Sequence, residues 1–324
     1  MLGAIVEDLS NVSGVQVVTT WDARLGPHPF RNVDVSAPDR GLLARQRQLE
    51  RLTLSCDATF LIAPEFDGIL FDLCRSVEAT GKTLLSSASA AVQRCADKLN
   101  LAALLEDAGV ATIPTRLLSW DNASPLETSN HVLHFPVVIK PRGGAGSQCN
   151  HLVKSWDEFE RLRFFLGADA RKRSYIWQPY IAGRPVSVGL LIPESGGDAQ
   201  AFPVAEQFLS DDGRFFYRGG RIPARDVDEA RIQAAALAAC RCVPGLRGYV
   251  GVDLIVPADE PSRPIVVEIN PRLTTSYLGY RALAMDNLAE RMLPGQTQRP
   301  IKWRTGEIEF DAAGNIEVRK ARTS

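Results

Sequence analysis

The chain has 324 residues, which is longer than one typical globular domain and predicts two or three subdomains. Its 37 basic and 38 acidic residues give a net charge of -1, which excludes a global attraction to nucleic acid or to a membrane surface. The six cysteines lack the spacing of a zinc site or of a disulfide framework. The sequence contains no apolar run of about 18 residues and no secretion signal, so we expect a cytoplasmic protein with reduced thiols.

The first part of the chain predicts a small α/β domain. Strands are expected from Val15 (VQVVTTW) and from Cys56 (CDATFLIAPEF), and helices over residues 2–9, in DRGLLARQRQLERL and from Phe71 to Gly81. The second strand ends in a polar loop that contains Glu65. Strands that alternate with helices are typical of a parallel sheet covered on both faces.

The pattern changes after a helical stretch from Ser89 to Asp107. Strand-like segments then follow one another with few helices between them: FPVVIKP, SYIWQPYI, PVSVGLLIP, AFPVAEQFL, YVGVDLIVP and PIVVEIN. Helices are expected after Ser155, which forms a capping box with Glu158, and from Val227 to Arg241. The segments GEIEF and NIEVR predict a terminal hairpin. This order indicates an α+β region built mostly from antiparallel sheets.

Two strands near the end of the chain bring acidic residues together. YVGVDLIV and PIVVEIN are joined by the polar segment ADEPSR, so we expect a hairpin. A turn centred between Glu260 and Pro261 places Asp253 opposite Glu268, with Cβ atoms about 5 Å apart, and Asn270 on the face of Glu268. Opposed carboxylates repel, and oxygen ligands of this kind suit a magnesium ion that also binds phosphates. The alternative is a strand-edge Asp253 and a Glu268 that pairs with an arginine.

A glycine-rich segment, PVVIKPRGGAGSQ, follows the first of the later strands. The strand delivers Lys140, and the loop holds Gly143, Gly144, Gly146 and Ser147. Glycines let backbone N–H groups approach a phosphate closely, and a lysine adds a point charge. This is not a Walker motif, because the glycines are not followed by the sequence Gly-Lys-Ser or Gly-Lys-Thr. The alternative is an ordinary glycine-rich turn.

Two further features are weak when taken singly. In IWQPYIAG, a strand runs through Gln178, Tyr180 and Ile181 into a glycine, which is typical of a hinge whose backbone bonds an adenine edge, although a simple strand and turn is the alternative. Lys98 follows Asp97 in a predicted helix, where a solvated helix face is the ordinary explanation.

The order of these parts resembles the ATP-grasp superfamily over roughly residues 95 to 290. The fold that the resemblance implies is an ATP-grasp fold preceded by a small parallel-sheet α/β domain. The implied regions are a pre-ATP-grasp domain at 1–95, a nucleotide-binding subdomain at 96–184, a catalytic and metal-binding subdomain at 185–300, and a hairpin and tail at 301–324.

The resemblance also implies roles for individual residues. Lys98 and Lys140 would contact the phosphates of ATP, and the loop from Gly143 to Ser147 would close over them. Gln178, Tyr180 and Ile181 would line the adenine pocket. Asp253, Glu268 and Asn270 would hold Mg²⁺, for which Mn²⁺ can substitute. The residue expected to bind the ribose stays unassigned, because Pro185 stands at its offset from the hinge.

ATP-grasp enzymes generally activate a carboxylate as an acyl phosphate, which an amine then attacks. By this resemblance Lys140 and Arg272 would be catalytic, Arg272 by binding the developing negative charge, unless it forms an ion pair with Glu268. Residues expected to contact the substrates are Thr274, Thr275, Ser276, Gln207 and Arg218. The alternatives are a helix start that uses serine and threonine as caps, and a solvated surface arginine.

A closer resemblance rests on IAPEFDGIL and EINPRLTTSYLGYR. Together they resemble the tyramine–glutamate ligase family of methanofuran biosynthesis and its bacterial relatives in one-carbon metabolism. This resemblance implies glutamate and an aryl-ethylamine as substrates. A ligase that joins two amino acids, as in the similar pyrrolysine-pathway enzyme, and a non-catalytic nucleotide-binding scaffold stay open. We expect the partners to be small-molecule substrates, and we expect binding neither to nucleic acid nor to a membrane. A homodimer is the oligomeric state that we consider.

Overall fold

The structure is a computed structural model of the chain. It describes residues 1–118, 134–144, 149–170, 173–194, 198–296 and 299–319, of which residues 168–170 and 319 are described by their backbone alone. No helix among these residues is both long and apolar enough to cross a membrane.

The front of the chain folds into helices and parallel strand pairs, as the alternating pattern predicts. Its elements are α1 (Leu2–Ser10), β1 (Val17–Thr20), β2 (Val33–Ser36), α2 (Leu42–Ser55), β3 (Ala58–Thr59), α3 (Ile69–Ala79) and β4 (Thr83–Leu84). The pairs β1–β2 and β3–β4 are both parallel, but they form two separate two-stranded sheets. The strand expected from Cys56 is short because the backbone N–H of Leu61 donates to the hydroxyl of Ser86, at 3.2 Å, and not to a strand carbonyl.

The helix predicted from Ser89 to Asp107 is two helices, α4 (Ser89–Ala96) and α5 (Lys98–Asp107). Asp97 separates them with extended backbone angles, and its carboxylate caps α5 by accepting from the N–H of Asn100 at 3.1 Å. The same carboxylate binds the guanidinium of Arg142 at 2.6 and 2.8 Å. An aspartate that caps a helix competes with helix continuation at its own position, so the break sets Lys98 at a helix start.

A small antiparallel sheet follows. Its elements are β5 (Arg116–Leu118), β6 (Val137–Pro141), β7 (His151–Val153), α6 (Trp156–Ala170) and β8 (Tyr175–Pro179), with the strand order β5-β8-β6-β7. The predicted capping box forms at the start of α6, where the Ser155 hydroxyl accepts from the N–H of Glu158 at 3.3 Å. In return the Glu158 carboxylate accepts from the N–H of Lys154 at 2.7 Å.

The rest of the chain builds a larger, antiparallel sheet of eight strands. Its elements are β9 (Gly183–Ile192), β10 (Gln200–Ala201), β11 (Ala205–Leu209), β12 (Tyr217–Ile222), α7 (Glu229–Arg241), β13 (Gly248–Pro257), β14 (Ile265–Asn270), α8 (Ser276–Leu283), β15 (Glu307–Asp311) and β16 (Ile316–Arg319). The strand order is β14-β13-β9-β11-β12-β15-β16, with β10 beside β9. The predicted terminal hairpin is β15–β16, and it extends this sheet through β12.

The predicted register of the acidic hairpin is confirmed. Asp253 on β13 pairs with Glu268 on β14, and Gly251 pairs with Asn270. The register shifts immediately after Asp253, where Leu254 pairs with Val266. A bulge of this kind twists a strand locally, and here it adjoins the two carboxylates.

Candidate active site

A cavity of about 770 Å³ lies between the small and the large sheet. It collects most of the side chains that the sequence singles out, and those that line it are Lys98, Lys140, Gln178, Tyr180, Ile181, Gln207, Asp253, Glu268, Asn270, Arg272, Thr274, Thr275 and Ser276. Gly143, Gly144 and Arg218 are not among the lining residues. Gly146 and Ser147 lie outside the residues that the structure describes.

The wall of this cavity contains the opposed carboxylates. The Asp253 carboxylate accepts from the side-chain amide of Gln207 and from that of Asn270, each at 2.9 Å. Burial raises the pKa of Asp253, and the neighbouring Glu268 carboxylate raises it further. Burial also opposes the ionisation of Glu268, but the ammonium groups of Lys98 and Lys140, together with Asp253 and Arg272, lower its pKa. The pair therefore holds its negative charge mainly on Glu268.

The donor set of this wall fits a hard divalent cation. Asp253 and Glu268 offer carboxylate oxygens, and the carboxamide oxygen of Asn270 can join them. The raised pKa of Asp253 marks a place where negative charge lacks compensation, which a divalent cation would supply. The described residues form no group of three or more histidine, cysteine, aspartate or glutamate side chains suited to a metal. The remaining ligands of a cation here would be water and phosphate oxygens, the arrangement that Mg²⁺ usually adopts.

Two lysines, Lys98 and Lys140, line the same cavity and act electrostatically on Glu268. Lys98 donates its ammonium to the carbonyl of Gly144 at 2.6 Å, and its backbone N–H donates to the carbonyl of Arg142 at 3.1 Å. These bonds join the start of α5 to the glycine-rich loop. Burial lowers the pKa of Lys140 to about 8, and the charge of Lys98 acts in the same direction. Two neighbouring cations in a buried site are suited to a polyanion such as a triphosphate.

The predicted hinge lies at the end of β8, but its polar groups are partly engaged. The Gln178 side chain is buried and donates to the Thr115 hydroxyl at 2.7 Å. The backbone N–H of Tyr180 donates to the carbonyl of Pro136 at 3.0 Å. The Tyr180 ring stacks on Phe215, with ring centroids 6.2 Å apart. Adenine recognition by the Tyr180 N–H would therefore replace an existing bond, whereas the bond of Gln178 to Thr115 uses only one N–H of its carboxamide.

Arg272 forms an ion pair that the sequence does not predict. Its Nε donates to Glu65 Oε2 at 2.7 Å, and its Nη1 donates to the carbonyl of Leu273 at 3.1 Å. The partner expected as an alternative was Glu268. Glu65 lies 207 residues earlier in the chain. Its only signal in the sequence is its place in a polar loop at the end of a predicted strand.

The hydroxyl groups after Arg272 have specific neighbours. Thr274 lies 2.8 Å from the Tyr249 hydroxyl, and the Ser276 hydroxyl lies 3.3 Å from that of Ser187. Thr275 occupies the N-cap position of α8 without a side-chain capping bond. Capping therefore does not account for Thr275, which lines the cavity.

Of the residues expected to contact substrate, two have other surroundings. Gln207 binds Asp253, so it orients a carboxylate of the acidic pair. The Arg218 side chain is exposed, and only its neighbour Tyr217 lines the cavity. Side chains alternate between the two faces of a strand, so an arginine next to a cavity-lining residue on β12 points away from the cavity. The cavity thus gives no support to the expected substrate contact of Arg218, which stays a prediction.

Comparisons with known proteins agree with this arrangement. A model of the ATP-grasp domain matches residues 95–276, and a model of the pre-ATP-grasp domain matches residues 15–92. The chain belongs to the ATP-grasp family. The fold predicted from the sequence, an ATP-grasp fold with a preceding α/β domain, is thereby confirmed.

Individual relatives within the family include two ligases and a protein of known structure. A tyramine–L-glutamate ligase of Methanocaldococcus fervens is 25% identical over 254 residues, which are 78% of this chain and 71% of the relative. A D-alanine–D-alanine ligase of Anaeromyxobacter sp. is 28% identical over 247 residues, which are 71% of this chain and 75% of the relative. The crystal structure of an ATP-grasp superfamily protein from Archaeoglobus fulgidus has a TM-score of 0.62 and 26% identity, covering 87% of this chain and 75% of that one. The two relatives that are named as ligases agree with the reaction of ATP-grasp ligases, which form a carbon–nitrogen bond at the expense of ATP.

The lowered pKa of Lys140 predicts how nucleotide binding depends on pH. Lys140 is charged below pH 8 and neutral above it, so the binding of ADP above that pH must take up a proton. We expect the affinity for ADP to fall by about tenfold between pH 7 and pH 9. The Lys140→Met variant should bind ADP more weakly at pH 7 and should lack this decrease. Titration calorimetry of both proteins measures the difference, and parallel pH profiles would contradict the placement of Lys140 at the phosphates.

Proposed function

We propose that the chain is a ligase that uses ATP to phosphorylate a carboxylate, most specifically that of glutamate, and joins it to a tyramine-like amine. The observation that carries this proposal is the convergence, in one cavity, of the Asp253–Glu268 pair with Lys98, Lys140 and Arg272. A nucleotide-binding scaffold would not need a complete set of groups for metal, phosphate and transferred charge. The proposed pathway is methanofuran-type one-carbon cofactor biosynthesis in the cytoplasm.

The reaction follows from the placement of these groups. A carboxylate oxygen of the substrate attacks the γ-phosphorus of ATP, and ADP leaves. The nitrogen of the amine then attacks the acyl carbon, phosphate leaves, and the nitrogen loses a proton. Lys98 and Lys140 bind phosphate oxygens, and Arg272 stabilises the negative charge of the tetrahedral adduct. Asp253, Glu268 and Asn270 would hold Mg²⁺, which would supply further neutralisation of the phosphate charge.

The substrates are proposed from two kinds of support. The relative from Methanocaldococcus fervens is named for tyramine and L-glutamate, and it matches most of this chain. In the cavity, Arg272 offers donors for a carboxylate, and the hydroxyl groups of Thr274, Thr275 and Ser276 can donate to a carboxylate or accept from an amine. The hydroxyl groups follow Arg272 directly, so substrate and transferred phosphate would meet at the start of α8.

A second candidate function is the joining of two amino acids. It is favoured by the D-alanine–D-alanine ligases among the relatives, one of which is 28% identical over 71% of this chain. The chemistry at the phosphate would be unchanged, because both reactions pass through an acyl phosphate. The two candidates differ in the substrates, above all in the amine, which is an amino acid in the second.

The proposal is tested by ADP release from the purified protein with a panel of amino acids and amines, followed by mass measurement of the products. We expect glutamate with tyramine to give ADP and an amide of the combined mass less one water. An amide formed from two amino acids would replace the first candidate by the second. Absence of ADP release with every pair would contradict the ligase and favour a nucleotide-binding scaffold.

The metal site predicts the effect of Glu268→Gln. Removing the ionised carboxylate should abolish magnesium-dependent turnover, with a loss of at least about 100-fold, because the metal loses a charged ligand. The fold should persist, which circular dichroism and thermal unfolding check. Glu260→Gln is the matched control, since Glu260 is an exposed residue in the turn of the same hairpin. Activity of Glu268→Gln equal to that of the control would show that the metal site is wrongly placed.

A further inference from the structure

The front domain contributes one buried acidic side chain next to the cavity. Glu65 is 6% exposed, and its Oε2 accepts from Arg272 Nε at 2.7 Å. Arg272 lines the cavity, whereas Glu65 is not among the lining residues. Glu65 therefore lies behind the guanidinium, on the side away from the space where a substrate would bind.

Burial of this carboxylate is energetically unfavourable unless the ion pair compensates for it. Oε1 of Glu65 is buried and has no hydrogen-bond partner among the described residues. Burial raises the pKa of Glu65, and Arg272 opposes that effect only in part. A buried ion pair is often no more stabilising than apolar side chains of the same volume. A contribution to folding stability alone therefore does not explain why this buried ion pair is present.

Both partners of the pair are fixed by backbone contacts. On the side of Glu65, the carbonyl of Pro64 accepts from the N–H of Leu70 at 3.1 Å, and a 3-10 turn spans Phe66–Gly68. On the other side, Nη1 of Arg272 donates to the carbonyl of Leu273 at 3.1 Å. With Nε and Nη1 engaged, Nη2 has no partner among the described residues. Two of the three guanidinium nitrogens are thus bonded to the protein, which restricts rotation of the group, and Nη2 is left for a ligand in the cavity.

We infer that Glu65 is a positioning residue, by which the front domain fixes the orientation of Arg272 toward the transferred phosphate and the acyl carbon. This inference rests on the proposed function, since it assigns Arg272 its role in the ligase reaction. A carboxylate can hold a guanidinium in one plane through charge-assisted hydrogen bonds, which a neutral or shorter side chain does less well. The front domain is then part of the active centre.

The inference predicts a specific kinetic pattern. Displacing a group that acts in the transition state by about 1 Å can reduce the rate by about 100-fold. We expect Glu65→Ala to lower kcat by about 100-fold while the KM for ATP changes little, because Lys98 and Lys140 still bind the phosphates. Glu65→Gln keeps an oxygen that can accept from Nε and removes the buried charge, so it should fold and recover part of the lost kcat.

The first measurement is independent of catalysis. Nitrogen-15 NMR of arginine Nε–H groups, assigned with Arg272→Lys, reports whether Arg272 is held. The Arg272 resonance should be visible in the full-length wild-type protein, weaker in Glu65→Gln and lost to solvent exchange in Glu65→Ala. Glu309→Ala is the matched control: Glu309 also binds an arginine, Arg221, at 2.8 Å, but neither residue lines the cavity. An Arg272 resonance unchanged in Glu65→Ala would overturn the inference.

The second measurement is ADP release with the best substrate pair of the wild type. Loss of kcat in Glu65→Ala, partial recovery in Glu65→Gln and wild-type kcat in Glu309→Ala would support the inference. A wild-type kcat in Glu65→Ala, with the Arg272 resonance lost, would overturn it. If the wild type turns over no pair at all, the proposed ligase function fails, and the inferred role in catalysis fails with it. The NMR result then still separates that failure from the question of whether Glu65 holds Arg272.

Discussion

Asp253 and Glu268 face each other across β13 and β14, in surroundings that disfavour both charges. Two like charges so placed repel. Nearby cations reduce this repulsion at Glu268, and amide donors reduce it at Asp253. Lys98 and Lys140 lower the pKa of Glu268, and amide groups donate to Asp253. The remaining unfavourable charge is what a divalent cation with bound phosphates would relieve. The charge distribution of the site thus supports the metal-nucleotide binding that we propose.

The cations reach this pair only because distant parts of the chain meet at one cavity. The break at Asp97 places Lys98 at the start of α5, beside the glycine-rich loop. Strand β6 delivers Lys140 from the small sheet. Glu65 comes from the front domain and holds Arg272, which follows β14. The packing of the front domain and the geometry of the cavity are therefore coupled. Loss of the contact between Glu65 and Arg272 would also free the Arg272 guanidinium in the cavity.

The local sequence pattern was sufficient to predict the relative placement of candidate site residues that lie within one hairpin. The turn between β13 and β14 can be located from its composition, and strand alternation then fixes Asp253 opposite Glu268. It was insufficient where the partner is far along the chain, as for Glu65 and Arg272, because no periodicity links such residues. For Arg218, composition indicates a binding residue, but the face of the strand decides the direction of the side chain, and composition does not show that face. The family resemblance, by contrast, depends on the order of motifs and survives such local errors.

The central claim is that the substrate carboxylate is activated by phosphorylation. It is tested most directly with glutamate labelled with ¹⁸O in its γ-carboxylate, together with ATP, Mg²⁺ and tyramine, by mass analysis of the phosphate released. Passage through an acyl phosphate transfers one labelled oxygen to phosphate for each amide formed, and this is the predicted result. Amide formation with unlabelled phosphate would contradict the account, because the carboxylate oxygen would then have left on another group.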